Sequence, residues 1–248
     1  MTVVKDAPTD LERTVGSVAG QDLDGVEYVV VDSSADVERS RAVLADVPHR
    51  YTWTEARGIY AAMNSALQEA TGEYVYFANA GDLLRDGTLS RVRVELNRAH
   101  PVWAFGEVEI VHRDGSRVVT PRWDYGKEKG AGFSRGHFPP HQGTFAGRAA
   151  LMSTGGFDET FSIVADYVAF LRLSQLADPL YLDFVVATFA EGGLSTTSWR
   201  ESVAQLHRAR REVLQFRGRA SVREYANTAW QLASMSLYRD VWSRVARR

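Results

Sequence analysis

The sequence predicts an α/β protein: a mixed, mostly parallel sheet with helices on both faces, closed by a C-terminal pair of helices. Three observations predict it. Glu27-Tyr28-Val29-Val30-Val31-Asp32 and Glu73 to Ala78 are short continuous apolar runs, the form of a strand buried on both sides. Segments of helical periodicity alternate with them, and that order imposes parallel pairing. From about Trp199 onward there are two more helical patterns and no strand.

Thr2 to Val4 is a β-branched start. Thr9 to Val18 reads as a helix, with Thr9 as its cap, acids in its first turn, and Leu11, Val15 and Val18 at helical spacing. The strand ending at Asp32 follows, then a polar helix from Ala35 to Leu44. Ile59, Met63, Ala66, Leu67 and Ala70 form one helical face, with a stop expected at Thr71-Gly72. The strand to Ala78 comes next, and a helix lies within Leu83 to Ala99, before Pro101. Val102–His112 and Arg117–Thr120 flank Asp114-Gly115 as a hairpin. Residues 121–140, rich in Gly, Pro and charge, read as a long loop. A short strand (Gly143–Ala146), a turn at Gly155-Gly156, a helix from about Asp166 to Leu176 and a strand from Leu180 to Phe189 complete this part.

The chain of 248 residues is 45% hydrophobic and 24% charged, which suits a folded globular protein with a sizeable core. It has no cysteine, so disulfides and thiolate metal sites are excluded. MTVVKDAPTD lacks the pattern of a signal peptide. No apolar run approaches the roughly 18 residues of a membrane span, and the expected location is cytoplasmic. A net charge of -2 conceals an asymmetry. Residues 200–248 hold 11 of the 29 Lys/Arg and 4 of the 31 Asp/Glu, leaving 18 and 27 to residues 1–199. Two solvated helices with outward arginines account for this; an anionic partner is the sharper alternative.

Ligands of open parallel sheets bind beyond the carboxyl ends of the strands. Asp32 ends one strand and could receive hydrogen bonds from a base or ribose; its plain alternative is a strand terminus. Asn79-Ala80-Gly81-Asp82 ends another. Asp82 offers carboxylate oxygen to a hard cation, and Ala80 and Gly81 let a phosphate approach the backbone. In Thr54-Glu55-Ala56-Arg57-Gly58 a guanidinium precedes a helix N-terminus, which suits phosphate. Asn64 lies on the polar side of that helix. His141, in Pro-His-Gln-Gly-Thr, opens a strand and could meet a metal or substrate. Asp166 stands at a helix mouth, where it could be a general base or a nucleotide-sugar contact; its plain alternative is an N-cap.

In this order, VEYVVVDSS, EARGIYAAMNSAL, ATGEYVYFANAGDLL, HQGTF, GGFDETFSIVADYVAFLRL and EGGLS closely resemble the family 2 glycosyltransferases of the GT-A fold, a Rossmann-type α/β architecture. The resemblance runs from about Thr2 to Ser195. It implies a nucleotide-sugar-binding catalytic domain over 1–199 and a basic amphipathic helical pair over 200–248. It also implies a nucleoside-diphosphate sugar as donor, a small-molecule or glycan hydroxyl as acceptor, a divalent cation (Mn2+ or Mg2+), and inversion. By resemblance Asp32, Glu55, Arg57, Gly58, Asn64, Asn79, Ala80 and Gly81 bind the nucleotide, and Asp82 and His141 bind the metal. Asp166 is the catalytic base with His141 beside it. The sequence departs from the family in two places. Asn79 and Gly81 stand where acids are common, leaving Asp82 as the loop's carboxylate, and Lys5-Asp6-Ala7-Pro8 replaces the usual Pro-x-Tyr-Asn. A nucleotide-sugar mutase or isomerase, working without an acceptor, is the rival within the same fold. No nucleic acid is expected as a partner. Tyr225, Ala229, Trp230, Ala233, Leu237, Val241 and Trp242 form an apolar face on the last helix. It is expected to pack on the catalytic domain first, to form a homodimer contact second, and to make a peripheral membrane contact third.

Overall fold

A computed structural model describes residues 1–134, 138–190 and 198–245, excepting the side chains of 128–131, 134 and 235–245. The first half is the expected βαβ series: β1 (Thr2–Val4), α1 (Pro8–Ala19), β2 (Val29–Asp32), α2 (Val37–Leu44), β3 (Arg50–Trp53), α3 (Ile59–Glu69) and β4 (Tyr74–Tyr76). Strands β1, β2 and β3 pair in parallel, with Val3 opposite Val31 and Val31 opposite Thr52. The backbone beyond β4 continues beside β1, where Ala78 and Ala80 donate to the Met1 and Val3 carbonyls at 3.0 and 3.2 Å.

The second half comprises β5 (Leu83–Leu84), α4 (Thr88–Ala99), β6 (Trp103–Val111), β7 (Arg117–Val119), α5 (Tyr125–Ser134), a single 3-10 turn (His141–Gly143), β8 (Thr144–Gly147), α6 (Arg148–Ser153), α7 (Ala165–Leu176) and β9 (Leu180–Ala190). Here the strand order is β4-β8-β6-β9-β5. Parallel pairing gives way to antiparallel pairing, except between β6 and β9. The β6–β7 hairpin turns at Gly115, as its Asp-Gly signal predicts. Two helices finish the described chain, α8 (Trp199–Leu214) and α9 (Arg219–Val245).

Each apolar strand serves two cores. Val29, Val31, Val75 and Phe77 face one core with α3 and α7, while Val30, Tyr76 and Ala78 face the other with α1 and α4. That alternation is why these runs carry no polar residue. On the first side Trp103 is fully buried, its indole edge-on to Tyr125 at 5.6 Å and stacked on Phe170 at 6.0 Å.

Several local expectations change. Thr9 is not a cap: α1 starts at Pro8, whose fixed φ suits the first helical position, behind Ala7. Helix α3 ends before Thr71-Gly72, because Ala70 is already extended. Residues 121–140 hold a helix, α5, despite three glycines; burial of Tyr125 and Phe133 in the aromatic core outweighs their low propensity. The short elements β3, β5 and α6 carried no clear periodicity. Of the predicted motifs, Glu191–Ser195 lies outside the described residues.

Candidate active site

The loop that ends the β4 segment is stapled from beneath. Thr14, fully buried on α1, accepts the Gly81 N–H at 2.9 Å, and its hydroxyl lies 2.9 Å from the Asp82 carbonyl and 3.3 Å from that of Asn79. Gly81 has φ +104°, a conformation that a side chain would strain. Asp82 turns back within the loop to accept the Asn79 N–H at 3.1 Å. So the acidic step closing the strand is a fixed turn that holds one carboxylate at the sheet's edge.

The 3-10 turn brings His141 to that carboxylate. Its Nε2 lies 3.6 Å from Asp82 Oδ2, and its Nδ1 lies 3.4 Å from Asp166 Oδ2. The turn can sit this close because Gly143 has no side chain: a Cβ there would fall 2.6 Å from the Gly106 carbonyl of β6. Burial lowers the imidazole's affinity for a proton, but hydrogen bonds donated to Asp166 and then to Asp82 outweigh it and raise the pKa to about 9. In its charged form the ring faces both carboxylates as a donor. As a neutral ring it can keep Nδ1–H on Asp166 and leave Nε2, 3.2 Å from Asn79 Nδ2, as an acceptor.

Asp166 occupies the first turn of α7, where a carboxylate is favoured by the free N–H groups. Its Oδ1 accepts the Tyr167 N–H at 2.9 Å. The Tyr60 hydroxyl stands 3.2 Å from the same oxygen and 2.7 Å from the Ile163 carbonyl. Burial and the Asp166 charge push the Tyr60 phenol far above its ordinary range, so it remains a donor. The side chains of His141, Asp82 and Asp166 keep 19%, 11% and 15% of their surface open, enough for a ligand to reach them from one side.

The nucleotide candidates divide. Glu55, Arg57 and Gly58 are exposed at the N-terminus of α3, and neither Glu55 nor Arg57 is ion-paired with another described residue. Asp32 is fully buried; its oxygens accept from the Ser34 N–H and the Tyr51 hydroxyl, both at 2.7 Å. It shapes the turn after β2 and does not present an open acceptor. Asn64 is committed elsewhere. Its amide donates to the Phe157 carbonyl at 2.8 Å and to Glu159 at 3.0 Å, and accepts the Phe157 N–H at 2.9 Å. Both its donor hydrogens are spent on tying α3 to the Gly155-Gly156 turn. Ala80 donates its N–H to β1.

The family model for glycosyl transferase family 2 matches residues 1–158 of this chain. The chain belongs to that family. Among curated relatives of this glycosyltransferase is an uncharacterized glycosyltransferase of Mycobacterium tuberculosis strain H37Rv. It is 28% identical over 197 residues, which cover 75% of this chain and 72% of the relative. Among solved structures, S. aureus TarS 1–349 in complex with UDP-GlcNAc superposes with a TM-score of 0.64 at 19% identity, over 93% of this chain and 70% of that one. A mannosyltransferase from Pyrobaculum calidifontis, in complex with GDP-Man and Mn2+, gives 0.62 at 21% identity, over 95% and 74%. This chain spans 42% of the longer S. aureus TarS chain. The neighbours show the fold, GT-A.

Sequence reasoning passed over four residues that shape the turns after β2 and the β4 segment and the surroundings of Asp166. Thr14 and Tyr60 sit inside helical patterns as ordinary polar positions. Tyr51 and Trp53 lie on β3, which had no signal of its own; Trp53 is half exposed and donates its indole N–H to the Ser34 carbonyl at 3.0 Å. Among the described residues no group of three or more His, Asp or Glu is arranged to hold a metal. A smaller set is present. Asn79 Oδ1 is buried with no hydrogen-bond partner, beside Asp82 and His141. An amide oxygen, a carboxylate and an imidazole suit a hard or borderline cation that takes its remaining ligands from phosphate. These residues therefore fit the cation that the family implies.

Proposed function

We propose that this family 2 enzyme transfers a sugar from a nucleoside-diphosphate sugar to an acceptor hydroxyl with inversion. The observation that carries the reading is His141 set between Asp82 and Asp166, 3.6 and 3.4 Å from their carboxylates, at the crevice end of the sheet. The neighbours solved in complex with UDP-GlcNAc and with GDP-Man and Mn2+ support the donor class.

Asp82 and Asn79 would hold Mn2+ or Mg2+, joined by His141 Nε2 in its neutral form; when bound, the cation supplies positive charge to the donor's diphosphate. Arg57 and the free N–H groups opening α3 add a second positive surface for phosphate. Asp166 is the general base. It takes the proton of the acceptor hydroxyl as that oxygen bonds the anomeric carbon and the bond to the diphosphate breaks, releasing nucleoside diphosphate. The Tyr167 N–H holds Oδ1, with the Tyr60 hydroxyl 3.2 Å from it, which leaves Oδ2 for His141 or the incoming hydroxyl. His141 thus links the carboxylate on the donor side to the carboxylate on the acceptor side and fixes their separation.

The test is incubation with UDP-, GDP- and dTDP-sugars, with and without Mn2+ and without acceptor, read by ion-exchange chromatography with mass detection. Alongside it, calorimetry measures nucleoside diphosphate binding to the wild type and to Asp82→Asn. Intact donor, or slow release of nucleoside diphosphate, is the expected result, with Mn2+-assisted binding lost in Asp82→Asn. A product of unchanged mass would identify a mutase or isomerase and end the transferase reading. Unchanged affinity in Asp82→Asn would remove the loop from cation binding.

A further inference from the structure

Helix α9 is packed inside out. Over Arg219–Ser234, where its side chains are described, the buried or half-buried positions are Ser221, Glu224, Asn227, Thr228, Gln231 and Ser234, all polar. Its open side carries Val222, Tyr225, Trp230 and Leu232, exposed at 71, 51, 63 and 37%, with Ala226, Ala229 and Ala233 between them. An ordinary surface helix does the reverse. The polar side has a clear partner: Arg210 of α8, fully buried, donates to Glu224 at 2.7 Å and to Thr228 at 3.2 Å. Packing against the body is therefore satisfied without the apolar face.

We propose that this face docks on an anionic membrane surface. Charge selects the occupant. Arg219 and Arg223 flank the apolar residues, are exposed, and pair with no described acid; the Arg211 guanidinium lies 4.9 Å over the Tyr225 ring at the rim. Between Arg219 and Ser234 the sole acid is Glu224, which is buried beneath Arg210. A second copy packed symmetrically on this face would set arginines against arginines, with no acid of residues 219–234 free to answer them. An anionic lipid surface answers them, while Trp230 and Val222 enter the interfacial layer. The remaining sequence from Met235 to Arg248 adds Trp242 and four arginines against one acid, so the charge balance stays positive. This order of occupants reverses the one the sequence suggested, because the packing role falls to the polar side.

Flotation of the full chain with phosphatidylcholine vesicles, alone and with increasing phosphatidylglycerol, tests the proposal, with light scattering of the free protein. The expected result is a monomer that binds the phosphatidylglycerol vesicles, releases them at raised salt and ignores phosphatidylcholine. Neutralising Arg219→Gln and Arg223→Gln together should weaken binding about thirtyfold, the usual weight of two basic side chains at an anionic surface. Trp230→Ser should weaken it without changing the salt slope. Thermal melts check that the variants fold; if one does not, the wild-type lipid and salt dependence decides alone. No binding by folded protein, equal binding to both vesicle types, or a stable dimer dispersed by Trp230→Glu would each overturn the proposal.

Discussion

Thr14→Val tests whether the loop bearing Asp82 is held from below as described. The substitution keeps shape and volume and removes one hydroxyl. Two bonds disappear with it: the one from the Gly81 N–H, at 2.9 Å, and the one from the Thr14 hydroxyl to a loop carbonyl, nearest that of Asp82, at 2.9 Å. A buried polar group left without a partner costs about 1–3 kcal/mol. The Asp82 contact is buried and takes the middle of that range, whereas Gly81 is half-buried and open to water, so it takes the low end or less. The sum is about 2–3 kcal/mol, and for a chain of this size a loss of about 5–10 °C in Tm. Urea unfolding of wild type, Thr14→Val and Thr14→Ser measures it. Serine keeps the hydroxyl and loses a methyl group, at a cost of about 1 kcal/mol. If the valine variant lies within about 0.5 kcal/mol of wild type, or serine fares as badly as valine, the staple is refuted. The same variant should weaken Mn2+-assisted nucleoside diphosphate binding, because the turn that aims Asp82 loses its anchor.

Two further outcomes are expected. Asp166→Asn should bind nucleoside diphosphate normally in calorimetry and lose about 10²–10⁴ in turnover, the range for a general base; wild-type turnover would remove it from catalysis. Arg210→Met should cost about 3 kcal/mol in denaturant unfolding, the low end for a broken buried pair because His207 Nδ1 still lies 3.1 Å from Glu224, while Arg210→Met with Glu224→Leu should recover most of that. A single variant as stable as wild type would show that the knot is not formed in solution.

Legibility in the sequence followed physical cause. Val29 to Asp32 was readable because a strand buried on both faces admits no polar residue, and its end is marked by one. Asp82, His141 and Asp166 were readable as types at strand and helix ends, and the fold sets His141 between the two carboxylates, 3.6 and 3.4 Å away. Their adjacency was not readable, since it depends on Gly143 pressing against the Gly106 carbonyl across the sheet. Asn64 misled for a similar reason: its polar position on α3 was correct, but its partner is the Phe157 backbone 93 residues away. Asp32 was placed correctly at a strand end, yet Tyr51, on a strand without periodicity, covers it. Helix α5 escaped because two buried aromatics, not local propensity, hold it. Helix α9 shows the converse limit. Its apolar face was legible by spacing, but which face would meet the protein was decided by Arg210 and Glu224, and a buried ion pair leaves no periodic mark.

The Phe133 carbonyl joins these two halves of the problem. It accepts the Tyr167 hydroxyl at 2.8 Å, and the Arg210 guanidinium reaches it at 3.5 Å. Tyr167 follows Asp166 directly in α7, and Arg210 carries Glu224 of α9. Helices α5, α7, α8 and α9 thereby meet around one buried oxygen, and the candidate base and the proposed docking face share this junction. Burial of the Arg210–Glu224 pair keeps that linkage unscreened by salt. Docking of α9 on a membrane would then orient the crevice relative to the lipid surface without moving Asp166 relative to His141. A hinge between α8 and α7 would break this coupling. The Arg210→Met variant distinguishes the two: if the helices are one body, it weakens vesicle binding and loosens Asp166 together, and if they are hinged, it affects the first alone.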